Sequence, residues 1–360
     1  MQDGDISRRE FVRDSALAAA GLAAGLSAAK AAEMDKSKIL NYNENMEYRR
    51  LGKTNLMVSA VCLGGHWKRV NTMVPDFKGD GWYGDWRHEG FQKNRHEIVS
   101  RCIEAGINYV DACSGTEILA YSKALKGRRD KMLLGFSWCE KEPRAAQYRT
   151  AKALLQGLDE ALKEAELDYA DLWRITLLQE SGQHPKEVIE ETMRALEEAK
   201  KAGKVRFAGF SSHDRPHIKW MIETFPKQVE VVVTPYHAKS KELPKDSLFD
   251  AIRKHDVGMF GIKPFASNSL FKGDSRLNSP AAEEDDRLAR LAIRYILCNP
   301  AVTAPIPGLI NAHQVDNVAQ AVTERRKLDL AEAKDLQDAM DRAWAELPKD
   351  YQFLKDWENV

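Results

Sequence analysis

The chain contains no run of about eighteen consecutive apolar residues, the least that spans a bilayer as a helix, so no segment reads as membrane-crossing. It carries no surplus of charge: 54 Lys and Arg balance 54 Asp and Glu. It also shows no sustained basic stripe, which argues against a nucleic-acid partner, since phosphates demand one. Cysteine is scarce. Five residues, Cys62, Cys102, Cys113, Cys139 and Cys298, cannot all pair within the chain. None stands in C-x-x-C spacing, so a structural zinc module or an iron–sulfur cluster is not expected, and no metal site is assigned. What is present is an ordinary apolar content of 43% in 360 residues, enough for a full core. That length holds two ordinary domains or one large one, and an α/β barrel of about 250 residues fits as one.

Residues 1–33 read as a targeting segment rather than as fold. Ser7-Arg8-Arg9-Glu10-Phe11-Val12 resembles the twin-arginine export motif, a weakly apolar Ala/Gly-rich stretch runs from Ala16 to Ala29, and Ala29-Lys30-Ala31 offers an A-x-A cleavage site. Their order implies a folded protein handed to the twin-arginine machinery and delivered to the periplasm or cell surface. The plainer alternative is a disordered tail with a chance arginine pair.

From about Glu47 onward, short apolar runs alternate with amphipathic helical ones. The first run, Val58-Ser59-Ala60-Val61-Cys62-Leu63, reads as a buried strand ending at Gly64-Gly65. Others follow at 108–111, 131–136, 170–175, 205–210, 230–234, 257–262 and 302–307, with helix-length segments such as 95–105, 148–164, 185–202 and 285–297 between them. At Ala202-Gly203-Lys204 a helix rich in Glu, Ala and Lys meets a glycine suited to a left-handed cap. The chain then enters the β-leaning Val205-Arg206-Phe207-Ala208-Gly209-Phe210. Repeated strand–helix units with near-continuous apolar strands imply a parallel sheet covered by helices. Eight runs point to a closed (β/α)8 TIM barrel, with an open doubly wound sheet as the fallback. In a barrel, the loops after the strands form the working face. The longest, 66–94, holds Trp67, Trp82, Tyr83 and Trp86, which line a pocket or pack on one another. The segment after Leu328 reads as helical, then irregular from Pro348, packing across the barrel.

Several stretches carry a family resemblance. They are Met46-Glu47-Tyr48-Arg49-Arg50-Leu51-Gly52-Lys53-Thr54-Asn55-Leu56-Met57-Val58-Ser59, Gly106-Ile107-Asn108-Tyr109-Val110-Asp111-Ala112, Leu125-Lys126-Gly127-Arg128-Arg129-Asp130-Lys131 and Leu167-Asp168-Tyr169-Ala170-Asp171-Leu172. Ala202-Gly203-Lys204-Val205-Arg206, Ile306-Pro307-Gly308 and Gln314-Val315-Asp316-Asn317 complete the order. Together they resemble the aldo/keto reductases. The resemblance implies an N-terminal β-hairpin, a barrel over 46–345 and a C-terminal tail over 346–360. It also implies hydride transfer from NADPH to a carbonyl. A tyrosine then serves as general acid, a lysine and an aspartate lower its pKa, and a histidine orients the substrate oxygen.

On this sequence only the aspartate keeps its residue type, as Asp111. The tyrosine position falls on Thr116 counting forward from Asp111, or on Ser114 counting back from Lys123-Ala124-Leu125; the lysine position is Ser137 and the histidine position Thr176. An aliphatic hydroxyl is far less acidic than a phenol of pKa about 10, so the site is expected to lack a phenol beside Asp111. Tyr121, inside the following helix, reads as packing. The family's carboxamide grip, a Ser-Asn pair and a glutamine, appears as Ser211-Ser212 and Val233, while Tyr236 would be the aromatic that stacks on nicotinamide. Gly308 and Asn317 belong to the cofactor loop, which reads Leu309-Ile310-Asn311 where a base for the 2′-phosphate is usual. That disfavours NADP(H) and leaves NAD(H), or no dinucleotide, open.

A buried carboxylate without its lysine needs another donor or a proton. Lys263, in Gly261-Ile262-Lys263-Pro264-Phe265, is the candidate catalytic partner of Asp111, as cation or base; alternatively it only reaches solvent at the rim. Cys113 and Cys139 lie two residues beyond the aspartate and lysine positions. They either form a disulfide in an oxidising compartment, given α-carbons within about 7 Å, or remain separate buried thiols. His66, His213 and His237 follow three different strands and could converge on the mouth, as metal ligands or as rim hydrogen-bonders. Trp138 and Trp173 stack on a ligand or fill vacated volume. Two functions stand open: an exported oxidoreductase with substituted acid–base residues, or a barrel that binds a small molecule, such as a carbohydrate, without that chemistry.

Overall fold

The computed structural model describes residues 35–79, 83–240 and 242–355. The export motif therefore lies outside the described residues. A short hairpin opens the fold: β1 (Tyr48–Arg50) pairs antiparallel with β2 (Met57–Ser59). Seven parallel strands follow in consecutive order: β3 (Tyr109–Ala112), β4 (Leu133–Phe136), β5 (Ala170–Thr176), β6 (Val205–Ser211), β7 (Val231–Pro235), β8 (Gly258–Ile262) and β9 (Ala304–Ile306). The helices between them are α1 (Glu89–Glu104), α2 (Gly115–Ala124), α3 (Ala151–Glu164), α4 (Lys186–Lys201), α5 (Arg215–Thr224), α6 (Leu248–His255) and α7 (Ala282–Leu297). Two more, α8 (Ala312–Thr323) and α9 (Leu330–Ala345), follow the last strand. None of the described helices is long and apolar enough to cross a membrane.

Residues 62–64 close the ring. The Cys62 and Gly64 amides donate to the carbonyls of Pro305 and Pro307 (3.1 and 2.8 Å), while Leu63 N donates to Tyr109 O and accepts at its own carbonyl from Asp111 N (3.0 and 2.8 Å). The result is the eight-stranded (β/α)8 barrel, not an open sheet. It also corrects the expected strand at 58–63, which is two pieces with different tasks. Met57–Ser59 belongs to the hairpin, whose Leu51 and Val58 pack into the lower barrel interior. Ser59 then turns the chain, its hydroxyl donating to Val61 O (2.7 Å) and its amide to Asn108 Oδ1 (2.8 Å). Only the last residues reach the barrel.

Alternation along the strands sorts the side chains. Tyr109, Leu133, Leu172, Val231, Val233, Phe260, Ala304 and Ile306 fill the interior, while their neighbours pack under the helices. Tyr109 and Phe260 stack at 4.3 Å and form a floor. Gly135 is required above it, since a Cβ there would stand 1.9 Å from the Tyr109 hydroxyl oxygen and 2.7 Å from Asp111 Oδ1. Gly203 takes the expected left-handed φ of +73° after α4.

The aromatic loop after the first barrel strand is a packed unit. Trp67 is buried 5.0 Å from Phe91, Phe77 stacks on Phe91 at 4.3 Å, and Trp67 Nε1 donates to the Tyr121 hydroxyl (2.9 Å). Tyr121 is thereby a packing residue, as expected, and Trp82 lies outside the described residues. After α9 a 3-10 segment, Lys349–Lys355, crosses back to the strand ends, so the tail covers the barrel as its composition suggested.

Candidate active site at the strand ends

Asp111 and Arg174 form the centre. Both side chains point inward, one from β3 and one from β5, across the space that Gly135 leaves on β4. Arg174 Nε donates to Asp111 Oδ1 (2.9 Å), and Nη2 bonds Oδ2. Both residues are almost wholly buried. Burial pushes the Asp111 carboxyl up while Arg174 pulls it down. Burial likewise opposes the Arg174 charge, but Asp111 outweighs it and raises that pKa. The fork accepts no acidic hydrogen, so the pair is ionic. This corrects the expected partner: Asp111 is neutralised by Arg174, and Lys263 makes no ion pair with it. A phenol does face Asp111, contrary to expectation, because the Tyr109 hydroxyl donates to Oδ1 from below (3.2 Å). Tyr109 is fully buried in the floor, and burial first, then Asp111, raise its pKa well above the ordinary value. It is a support, closed off from anything entering the mouth.

The positions expected for the lysine and the histidine form one polar chain. Ser137 Oγ lies 2.7 Å from Thr176 Oγ1 and donates to Glu142 Oε2 (2.6 Å). Glu142 also accepts from Thr176 N (2.7 Å), Trp138 N (3.1 Å) and Trp173 Nε1 (3.1 Å). Thr176 in turn accepts from Arg174 Nη1 (3.1 Å) and contacts Cys113 Sγ at 3.5 Å. Burial raises the Glu142 carboxyl to about 7, against the pull of Ser137 and of the Thr176 amide. Trp173 is thus packing with a polar tip, and Trp138 lies over Gly115. Ser114 caps α2, accepting from Glu117 N (3.3 Å), and Thr116 rides in that helix's first turn.

Above this chain opens a cavity of about 810 Å³ lined by Asp111, Cys113, Glu117, Arg174, Ser211 and Lys263, among others. Glu117 binds the His66 amide and ring Nδ1 (2.6 and 2.9 Å) and the Cys113 amide (2.6 Å). Lys263 is half-buried, and burial pulls its ammonium down to about 8, with Cys113 opposing. The tail forms the roof: Lys68 Nζ sits 3.9 Å from the Tyr351 ring centre, and Lys263 Nζ lies 5.8 and 5.7 Å from those of Tyr351 and Phe353. Non-glycine residues with left-handed φ gather here, at His66, Lys263, Ala266, Ser267 and Asn268. Such strained backbone concentrates at working sites.

A second cavity, about 710 Å³, shares Lys68, Phe265, Asn268 and Gly308 with the first and extends to Asn311, His313 and Asn317. Of the residues expected to hold a cofactor, Gly308 lines both cavities and Ser211 only the first. Asn317 lies at the far end of the second, donating to Asp286 O (3.0 Å) and accepting from Arg290 (2.5 Å). Ser212 turns outward to Gln179 O and Ser181 (3.1 and 2.7 Å). Tyr236 also lies outside the mouth, edge-on to Phe249 of α6 at 5.6 Å with its hydroxyl accepting from Asn299 (3.0 Å). An even–odd step along β7 accounts for this: Val231 and Val233 take the inward positions. The histidines do not converge. His66 is at the mouth, His213 stacks on Phe353 and His237 packs against Trp344. No group of three His, Cys, Asp or Glu able to hold a metal occurs among the described residues.

Sequence reasoning missed Arg174 and Glu142. Arg174 had a signal, a charge between Trp173 and Ile175 in the strand run Ala170-Asp171-Leu172-Trp173-Arg174-Ile175, at an inward position. Glu142 had none, since it stands in a charged loop where glutamate is unremarkable.

Residues 82–341 match the profile described as the Aldo/keto reductase family. The chain is 23% identical over 308 residues to L-galactose dehydrogenase of Arabidopsis thaliana, covering 79% of this chain and 91% of that protein. It is 21% identical over 327 residues to L-glyceraldehyde 3-phosphate reductase of Escherichia coli K12, covering 77% and 88%. Among solved structures, an aldo-keto reductase of Bacillus halodurans in its holo form superimposes with a TM-score of 0.59 at 23% identity, covering 82% of this chain and 96% of that one.

Proposed function

Since the chain belongs to the aldo/keto reductase family, we propose that it reduces a carbonyl on a small, sugar-like substrate with Lys263 as proton donor in place of a phenol. The observation that carries this is the mouth itself: Lys263, held near pKa 8, lines the same cavity as the Asp111–Arg174 pair. A general acid works best when its pKa lies near the working pH. Lys263 gives its proton to the carbonyl oxygen as that oxygen gains charge. Arg174, locked by Asp111, presents a fixed positive face beneath it. The names of the relatives, a galactose dehydrogenase and a glyceraldehyde phosphate reductase, support a hydroxylated carbonyl.

The groove suits a dinucleotide. Its two cavities are neighbours that share Lys68, Phe265, Asn268 and Gly308; Ser211 lines the inner one, beside Asp111, and Lys68 is a cation on the shared wall suited to a diphosphate. At the far end Asp286, hydrogen-bonded to His313 (2.5 Å), favours the free ribose diol of NAD(H) over a 2′-phosphate. When bound, NADH supplies the hydride. The twin-arginine motif at Ser7–Val12 supports export to the periplasm or cell surface, a reading that cell fractionation with and without an Arg8→Lys, Arg9→Lys change tests directly.

The test of the mechanism is a titration of the purified protein with NADH and NADPH by fluorescence, followed by turnover on small hydroxyaldehydes. Lys263→Met is expected to keep dinucleotide affinity and lose roughly 100-fold in kcat, the usual scale for a general acid. Full turnover in that variant, or no binding of either dinucleotide by the parent, ends the reading.

A further inference from the structure

Cys113 and Cys139 continue adjacent strands beyond β3 and β4, and both follow the inward positions Asp111 and Ser137. Their main chains touch directly: the Cys139 amide donates to the Cys113 carbonyl (3.2 Å). With N–Cα about 1.46 Å and an α-carbon about 2.4 Å from its own carbonyl oxygen, that bond holds the two α-carbons within about 7 Å, the outer limit for a disulfide. The Cys113 sulfur lies 3.5 Å from Thr176 Oγ1, and the Cys139 thiol donates to Glu140 Oε2 (3.4 Å). Cys113 lines the mouth and is partly exposed, whereas Cys139 is buried behind it.

We propose that Cys113 and Cys139 are a redox-active dithiol that consumes hydroperoxides, with Cys113 the attacking sulfur and Cys139 the resolving one. The surroundings fit the task. The Cys139 thiol, then Arg174, His66 and the Thr176 hydroxyl, hold the Cys113 thiol well below its ordinary pKa against the effect of burial. The Cys113 sulfur, with burial, drives Cys139 up. One sulfur is therefore a ready nucleophile while the other keeps its proton. By contrast, burial raises the Cys62, Cys102 and Cys298 thiols.

The chemistry balances within this pair and the peroxide. The Cys113 thiolate attacks one peroxide oxygen; an S–O bond forms, the O–O bond breaks, and the departing alkoxide takes a proton from solvent to leave as alcohol. Cys139 sulfur then attacks the resulting sulfenic acid. The S–S bond forms, the S–O bond breaks, and hydroxide leaves with the Cys139 proton as water. Two thiols lose two electrons and the peroxide gains them. Turnover requires a thiol reductant to reopen the disulfide.

The full-length reduced protein, without any dinucleotide, is treated with hydrogen peroxide, quenched with acid, alkylated and mapped by peptide mass spectrometry. Two of its five thiols are expected to disappear into a single Cys113–Cys139 link. Cys139→Ser is expected to stop at a Cys113 sulfenic acid trapped by dimedone, and Cys113→Ser to leave its four thiols intact. Five surviving thiols, a link between any other pair, or a Cys139→Ser protein without the Cys113 adduct overturns the proposal. The parent protein's peptide map decides even if a variant fails to fold. The assay involves no carbonyl turnover, so its outcome is separate from that of the reductase reading.

Discussion

Glu142→Gln isolates the buried carboxyl beneath the mouth. In the folded protein this group titrates near 7 rather than at its ordinary 4.5. Because the folded pKa is raised, its contribution to stability is complete below pH 4.5 and is lost as the pH rises through 7. At 1.36 kcal/mol per pKa unit, the wild type gives up about 2.5 kcal/mol between pH 5 and pH 8.5 that the glutamine variant does not. All four of its partners donate as placed, from Ser137, Trp138, Trp173 and Thr176; the single O–H of the protonated carboxyl can be accepted if the Ser137 hydroxyl turns, whereas the amide NH2 of glutamine brings a second hydrogen that meets only donors. The variant is therefore less stable at pH 5, by about 1 to 3 kcal/mol for each unsatisfied group, and the gap narrows toward alkaline pH. Urea unfolding of both proteins at half-unit steps from pH 5 to 8.5 measures that gap. A difference constant to within about 0.5 kcal/mol across the series would refute the reasoning, since independent sites already scatter by that much.

Carbonyl reduction by the wild type is expected to fall tenfold per pH unit above about 8, as Lys263 loses the proton it must donate; a flat profile to pH 10 in initial rates contradicts this. Deleting residues 349–360 removes the Tyr351 and Phe353 cover. It is expected to move that alkaline limit upward, because burial is what lowers Lys263. Arg174→Met strands Asp111 in the barrel and is expected to cost about 3 to 5 kcal/mol, with much of it regained in the Asp111→Asn double variant by chemical unfolding. Gly135→Ala forces a methyl group onto the Tyr109 hydroxyl and is expected to lower stability by about 1 to 3 kcal/mol, read as a drop in Tm.

The barrel was legible because strands buried on both faces read as apolar runs, and helices such as α4 carry their caps with them. The seam was hidden because Val58 to Leu63 is one apolar stretch serving two structures, and only the Ser59–Asn108 contact splits it. The Asp111 position is readable from its motif, but its partner stands on β5 at Arg174, two residues before Thr176, and not on β8. Tyr236 illustrates the period-two hazard. One residue's slip along a strand exchanges the ligand side for the helix side, and no neighbour in the sequence announces which applies. Glu142 depends on burial by a loop, which no local pattern encodes.

Arginine at position 174 has a consequence for how the centre can respond to acidity. Guanidinium keeps its charge at any pH a folded protein tolerates, so the centre can answer acid only through the carboxyl it grips, which burial raises above its ordinary range. Protonating that carboxyl would leave the Arg174 charge buried without its counter-ion, so acid acts at the heart of the barrel while base acts at its margins, in Lys263 and Glu142.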